Sequence, residues 1–253
     1  MLTLALQFVN VGLTLGFAVL ILLISQRSSW ASSARRHSCW LVGVAFAING
    51  ISGLVQRILA VWAFVAGPES PVYTGYLQAA PAMNQSRTGL EIALTLLLAW
   101  IAVRGERPLA WWLLLPGLIA GGAAGTVIGL LEGTLVASRH FSMVALLEGL
   151  EMVALLAMLL LALIRNSMDR FLWLALATYA VQQSFNAIWT SALAWENMPG
   201  GWAPRPWMFP AQMALLGCVM LAIALRRYQL ARRGVHVPSL LEPLMAKQVS
   251  SFH

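Results

Sequence analysis

Long apolar runs alternate with short polar segments along the whole chain. Each run holds at least about 17 residues, which is the lower limit for a helix that crosses the hydrocarbon core of a membrane. The pattern therefore predicts an all-α integral membrane protein with a bundle of seven transmembrane helices. The runs cover residues at about 3–25, 39–66, 87–103, 108–131, 141–164, 171–194 and 207–225.

The segments between the runs are short, and two of them are rich in Pro, Gly and aromatic residues. They comprise residues 67–86 and 196–206. This composition favours ordered turns on the membrane surface, and we expect them to form a lid.

Polar residues interrupt five of the runs at helical spacing, which places one polar stripe on each helix. Because hydrocarbon cannot solvate these side chains, they must face one another, water or a ligand. At a rise of about 1.5 Å per residue they lie about 7 to 18 Å below the outer surface, whereas the inner halves of the helices are apolar. We therefore predict a polar cavity that opens outward and is sealed inward. Its candidate ligand-binding residues are Asn10, Gln56, Arg57, Glu91, Glu148, Glu151, Gln182, Gln183 and Asn186.

The charges at this depth do not balance in the sequence. Arg57 is the only cation that we expect there, and we expect it to pair with Glu91 because helices 2 and 3 are consecutive. Glu148 and Glu151 then need solvent, protons or a bound cation. The alternative is that the amide and hydroxyl stripes only join helices, at about 0.6 kcal/mol for each hydrogen bond.

Composition and charge exclude whole classes of function. Hydrophobic residues make up 60% of the chain and charged residues 10%, which cannot cover a water-soluble surface. Twelve basic residues fall in alternate connections and only three in the others, so the positive-inside rule predicts an outer N-terminus and a cytoplasmic C-terminus in the cell membrane. The net charge of +7 thus indicates orientation, not nucleic-acid binding. Residues 1–225 form one membrane domain, and 226–253 form a basic tail that we expect to bind lipid headgroups.

Helix 4 carries a ridge of glycines at a spacing of four residues. Gly117, Gly121, Gly125 and Gly129 leave one face without side chains, so another backbone is expected to approach it closely. A neighbouring helix of the same chain is the main interpretation. Docking of a second copy or of a partner membrane subunit is the alternative.

Helices 1 to 3 and helices 5 to 7 show a faint parallel in their polar positions. Gln7 and Asn10 match Glu148 and Glu151, and Glu91 matches Gln212 by depth. The parallel predicts two three-helix repeats that helix 4 joins.

Missing residues exclude several chemistries. The only lysine is Lys247 in the tail, so no retinal Schiff base can form in a membrane helix, and the four histidines lie outside the predicted spans. Glycine-rich phosphate loops and nucleophile elbows are absent from the sequence. We therefore predict no cofactor, and only a metal held by glutamates stays conceivable.

Three functions remain open from the sequence. The first is a transporter or receptor-like protein whose cavity binds a cation, a proton or a small amine. The second is an accessory or sensory subunit that docks through helix 4. The third is a membrane-embedded enzyme that uses Glu148 and Glu151 as acid and base on a lipid, which would need an acyl-chain groove beside them.

Overall fold

The structure is a computed structural model that describes residues 2–27, 30, 32–104, 111–135, 143–194 and 207–242. Within these ranges it describes no side chain at residues 81, 111–114, 132–135, 143–148 and 186–194. The described residues form seven α-helices and contain no strand. They are α1 (Leu2–Arg27), α2 (Ser33–Ala66), α3 (Pro71–Arg104), α4 (Trp111–Leu135), α5 (Met143–Ile164), α6 (Arg170–Ala194) and α7 (Met208–Arg232).

The helices suit a membrane environment. Among the described residues, α1, α2, α3 and α7 are long and apolar enough to cross a bilayer, while α4 and α5 hold shorter apolar stretches at Leu115–Leu131 and Gly149–Ile164. Large apolar side chains also cover the surface: Val153 and Leu215 are 65% and 67% exposed. Such a surface is stable against lipid and costly against water. The chain is therefore an all-α, membrane-embedded protein, and a crossing by all seven helices stays a prediction.

The helix α3 is much longer than the apolar pattern predicts. It begins at Pro71 and not near residue 87. The Ser70 hydroxyl accepts a hydrogen bond from the Val72 N–H at 3.1 Å, and proline is favoured in the first helical turn because that turn needs no N–H donor. The predicted surface turn over residues 67–86 is thus wrong from Pro71 onward. Its polar residues hid the helix from an apolar-run criterion, and residues 196–206 lie outside the described part of the chain.

The helix α7 also extends past its predicted end. It continues to Arg232, so the predicted boundary at residue 225 falls inside a helix. The first part of the predicted tail is therefore a continuation of the bundle.

Six helices form a closed ring. Going round the ring, α1 packs on α2, α2 on α3, α3 on α5, α5 on α6, α6 on α7, and α7 on α1. The helix α4 lies outside the ring, mainly against α3. Gln212 is exposed and does not line the cavity as Glu91 does, and the two three-helix repeats stay a prediction.

The two ends of the ring differ in polarity. Arg27, Arg36, Arg104, Arg165 and Arg232 lie where helices begin or end on one side, which we term the basic end. The core toward the basic end is apolar, with side chains that are almost fully buried. These include Phe17, Ile24, Leu41, Val42, Leu94 and Met158. The opposite end, which we term the cavity end, holds the polar side chains that surround an internal cavity.

Candidate functional site

A polar cavity of about 560 Å³ lies inside the ring near the cavity end. Every helix of the ring contributes to its wall, and none of the α4 side chains that the structure describes does so. The lining residues that carry polar groups are Gln7, Asn10, Thr14, Asn49, Arg57, Asn84, Gln85, Arg87, Thr88, Glu91, Glu151, Tyr179, Gln182 and Gln183. Polar side chains from five helices thus converge on one space, and α7 adds an apolar part of the wall.

The cavity brings together six of the nine residues predicted from the sequence. They are Asn10, Arg57, Glu91, Glu151, Gln182 and Gln183. Gln56 is buried but does not line the cavity, so its assignment to the site stays a prediction. The side chains of Glu148 and Asn186 lie outside the described residues.

Arg87 is a second cation in the cavity that the sequence analysis missed. Its Nε lies 3.6 Å from Oε1 of Glu91, one helical turn further along α3. The predicted pairing of Arg57 with Glu91 is therefore wrong. The apolar run begins only at residue 87 and gave no sign of a helix before it, whereas α3 starts sixteen residues earlier, at Pro71.

Tyr179 is the centre of a hydrogen-bond network that joins three helices of the ring. Its hydroxyl donates to Oε2 of Glu91 at 2.9 Å and accepts from the amide nitrogens of Asn49 and Gln183. Glu91 and Tyr179 are 9% and 7% exposed, respectively. Buried groups that satisfy one another in this way hold a single arrangement of side chains. The network fixes α2, α3 and α6 around the acid, and Glu151 of α5 lies close enough for its charge to act on the phenol.

Two of the predicted amides act at least partly as links between helices. The side-chain nitrogen of Asn10 donates to the Pro210 carbonyl at 3.1 Å, and that of Gln182 donates to the Met213 carbonyl at 3.2 Å. Both bonds tie α7 to a neighbouring helix. They match the interpretation that some polar groups in membrane bundles serve adhesion.

Other polar atoms at the cavity are buried without a hydrogen bond to a described residue. They include Nε of Arg57, Oδ1 of Asn10 and Oε1 of Gln85. A buried polar group that makes no hydrogen bond costs about 1 to 3 kcal/mol. Water or a ligand in the cavity would supply the missing partners.

Aromatic rings close the cavity toward the apolar core. The ring of Phe46 packs edge-on against those of Phe17 and Tyr179, with centroids 4.6 and 4.8 Å apart. A small apolar cavity of about 30 Å³ lies beyond Glu91 and Tyr179. It is too small for an acyl chain, so the enzyme hypothesis gains no groove there and stays a prediction.

The glycines of α4 face the same chain. A methyl group on Gly125 would collide with the Gln85 carbonyl of α3, and one on Gly121 would lie 2.7 Å from the Ala93 side chain. Gly129 is buried, while Gly117 has open space beside it. Since α3 already occupies Gly121 and Gly125, docking of a partner through these glycines stays a prediction without support from the contacts.

The described residues offer no cluster of three or more His, Cys, Asp or Glu side chains that could hold a metal ion. The cavity charges that the structure describes are two arginines and two glutamates, so the predicted surplus of acid depends on Glu148 alone.

No family model, no curated protein and no solved structure matches this chain. The site must therefore be interpreted from its own chemistry.

Proposed function

We propose that this chain is a seven-span membrane protein, a transporter or receptor-like binding protein, whose outward-facing cavity binds a small cation or amine. The observation that carries the proposal is the convergence of polar side chains from five helices on one cavity of about 560 Å³, with Glu151 only 3% exposed at its wall. Adhesion between helices needs no such space. A cavity of this size lies within the range of small-molecule sites.

The orientation follows from the positions of the arginines. The positive-inside rule places the basic end in the cytoplasm and the cavity end outside the cell membrane. A helix of 34 residues is about 51 Å long, so α2 and α3 exceed a core of about 30 Å by about 20 Å. Measured from Arg36 and Arg104 at the inner surface, the outer boundary falls close to Arg57 and Arg87. Both arginines can then be charged at little cost.

The acids favour a ligand with positive charge. Glu151 and Glu91 lie deeper than the two arginines, and a buried carboxylate is stabilised by an ammonium group or a cation beside it. The unbonded oxygens of Asn10 and Gln85 add acceptors for N–H donors. A small ammonium compound would satisfy both kinds of group.

A thermal-shift experiment on the purified protein in detergent tests this function. Methylammonium, ethanolamine and sodium chloride serve as probes, and a ligand at 100 times its Kd stabilises by about 2.7 kcal/mol. We expect at least one amine to raise the melting temperature of the wild type. Glu151→Gln should weaken that amine at least tenfold, or about 1.4 kcal/mol, and adding Glu148→Gln should abolish the effect.

Glu69→Gln is the matched control, because Glu69 is an exposed acid on the turn between α2 and α3 and does not line the cavity. It should respond to the amine as the wild type does. The proposal fails if no amine or cation stabilises the wild type, or if Glu151→Gln responds as strongly as Glu69→Gln.

A further inference from the structure

Two arginines from neighbouring helices face one side of the cavity. Arg57 of α2 and Arg87 of α3 both line it, and they lie close enough for their like charges to repel each other. Two guanidinium groups in a partly buried site disfavour each other unless an anion lies beside them. This side of the cavity therefore favours a negative group.

Only one of these arginines forms an ion pair with a described carboxylate. Glu91 pairs with Arg87 through Oε1 and accepts the Tyr179 hydrogen bond through Oε2. Arg57 forms no ion pair with any described residue, and its buried Nε makes no hydrogen bond to one. An arginine that only reached for lipid headgroups would turn its guanidinium away from the bundle. Arg57 instead lines the cavity in a half-buried position.

Helix geometry separates the positive groups from the negative ones. Arg87 is four residues, or about 6 Å, nearer to the cavity end than Glu91. Arg57 is eight residues, or about 12 Å, nearer to that end than Asn49, which bonds to Tyr179 at the level of the acids. The cavity thus has a cationic entrance and an acidic floor.

We infer that the ligand of this cavity carries an oxyanion as well as an ammonium group, and that Arg57, with Arg87 beside it, binds the oxyanion. This rests on the proposed function, which assigns the ammonium group to the acids below. A guanidinium group holds a carboxylate or a phosphate through two parallel hydrogen bonds. The ligand class is therefore a small zwitterion, either a free amino carboxylate or the headgroup of an aminophospholipid.

Matched ligands of graded length test the inference. Unbranched ω-amino carboxylates from glycine to 6-aminohexanoate are compared with the amine and the carboxylate of the same chain length, by thermal shift and titration of the purified protein. We expect at least one amino carboxylate to bind at least tenfold more tightly than its matched amine. The best chain length reports the distance from Arg57 to the acid floor.

Variants of Arg57 show whether this preference arises at the cationic entrance. In Arg57→Gln the preference for the amino carboxylate over the amine should fall below threefold, and Arg57→Lys should give an intermediate value because it keeps the charge but loses the paired hydrogen bonds. Arg232→Gln, an exposed arginine at the basic end, should keep the full preference. If Arg57→Gln does not purify as a folded monodisperse protein, the test becomes the comparison of Arg57→Lys with Arg232→Gln. A smaller preference for the amino carboxylate in Arg57→Lys then supports the inference, and an equal preference overturns it.

The outcomes separate this inference from the proposed function. Amines that bind as well as their amino carboxylates overturn the inference and leave the proposed function standing. Carboxylates that bind through Arg57 when no amine binds support the anion site and overturn the proposed function. The third outcome is that no free amino carboxylate is preferred, but the protein is more stable in phosphatidylethanolamine nanodiscs than in phosphatidylcholine nanodiscs. If Arg57→Gln removes this difference in stability, the zwitterion is the lipid headgroup.

Discussion

At the scale of single residues, the basic end is held by a buried ion pair. Nε of Arg227 lies 2.7 Å from Oδ2 of Asp169, and both side chains are at most 4% exposed. The other carboxylate oxygen of Asp169 accepts from the N–H groups of Phe171 and Leu172, which caps the start of α6. Arg227 also lies over the ring of Trp30. The prediction that all four arginines after residue 225 face lipid headgroups is therefore wrong for Arg227.

This ion pair should dominate the stability of the basic end. Removing one partner of a buried pair leaves an unbalanced charge and costs about 3 to 5 kcal/mol. We expect Arg227→Gln to lower the free energy of unfolding by that amount, measured by denaturant titration in detergent micelles. The exposed neighbour variant Arg226→Gln should change it by less than about 0.5 kcal/mol.

A double-mutant cycle gives the second check. Arg227→Gln combined with Asp169→Asn should cost less than the sum of the single changes, because the double variant leaves no lone charge. Additive losses, or equal effects of Arg226→Gln and Arg227→Gln, would contradict a buried pair.

At the scale of elements, α3 holds the bundle together. It contacts α2, α4 and α5, and its N-terminal half supplies Asn84, Gln85 and Arg87 to the cavity. The backbones of α3 and α4 meet through Gly89, Gly121 and Gly125. Inside a membrane, the surrounding hydrocarbon provides no hydrophobic driving force for helix packing. The close approach of two backbones instead stabilises the pair through dispersion contacts.

Two glycines of α4 form a matched pair for testing this contact. A methyl group at Gly125 would push α4 away from Gln85, whereas one at Gly117 meets no atom within 4 Å. We expect Gly125→Ala to destabilise by about 1 to 3 kcal/mol through overpacking. Gly117→Ala should be neutral or stabilise by up to about 1 kcal/mol, since alanine favours helix.

Thermal unfolding of the two variants in one detergent measures the difference. Equal melting temperatures would show that α4 does not pack on α3 in this way.

At the scale of the whole molecule, the segment after α7 folds back over the basic end. The Pro238 carbonyl accepts from the Arg170 N–H, and the Ser239 hydroxyl donates to the Asn166 side chain. Arg35, which is 8% exposed, bonds to Glu242 at 3.3 Å. These contacts join the starts of α2 and α6 to the chain that follows α7, and so add a polar layer below the apolar core.

The pKa of Glu242 makes this layer sensitive to acid. The Ser239 N–H, followed by the Arg35 guanidinium and His236, lowers that pKa below its ordinary value near 4.5. A lowered pKa adds stability that is fully present above pH 4.5 and is lost as the pH falls through the folded-state value. Because the side chain is 44% exposed, we expect the contribution to stay below about 1 kcal/mol.

Glu242→Gln should therefore reduce the loss of melting temperature between pH 7 and pH 3.5. The comparison is with the wild type and with Glu69→Gln, whose carboxylate lies at the cavity end. If Glu242→Gln and wild type lose stability equally over this range, the folded-back segment does not depend on the Glu242 contacts.

How far the sequence predicts this protein depends on the scale. Apolar runs located the seven helices of the described residues, because hydropathy and helical period are local properties of the chain. That all seven cross a membrane stays a prediction. They missed the first part of α3, where polar residues continue a helix beyond the apolar run. Helical spacing also predicted that Asn10, Glu91, Glu151 and Gln182 share one polar region, since a stripe on each helix must turn away from lipid.

Only the tertiary structure decided which members of those stripes meet. The helical period sets the helix face on which a residue lies. The rotation and the height of the neighbouring helix determine which residue it contacts. Arg57 and Gln56 are adjacent in sequence, yet only Arg57 lines the cavity, and the partner of Glu91 is Arg87 of its own helix. The six-helix ring with α4 outside arises from packing between distant segments, which no local pattern encodes.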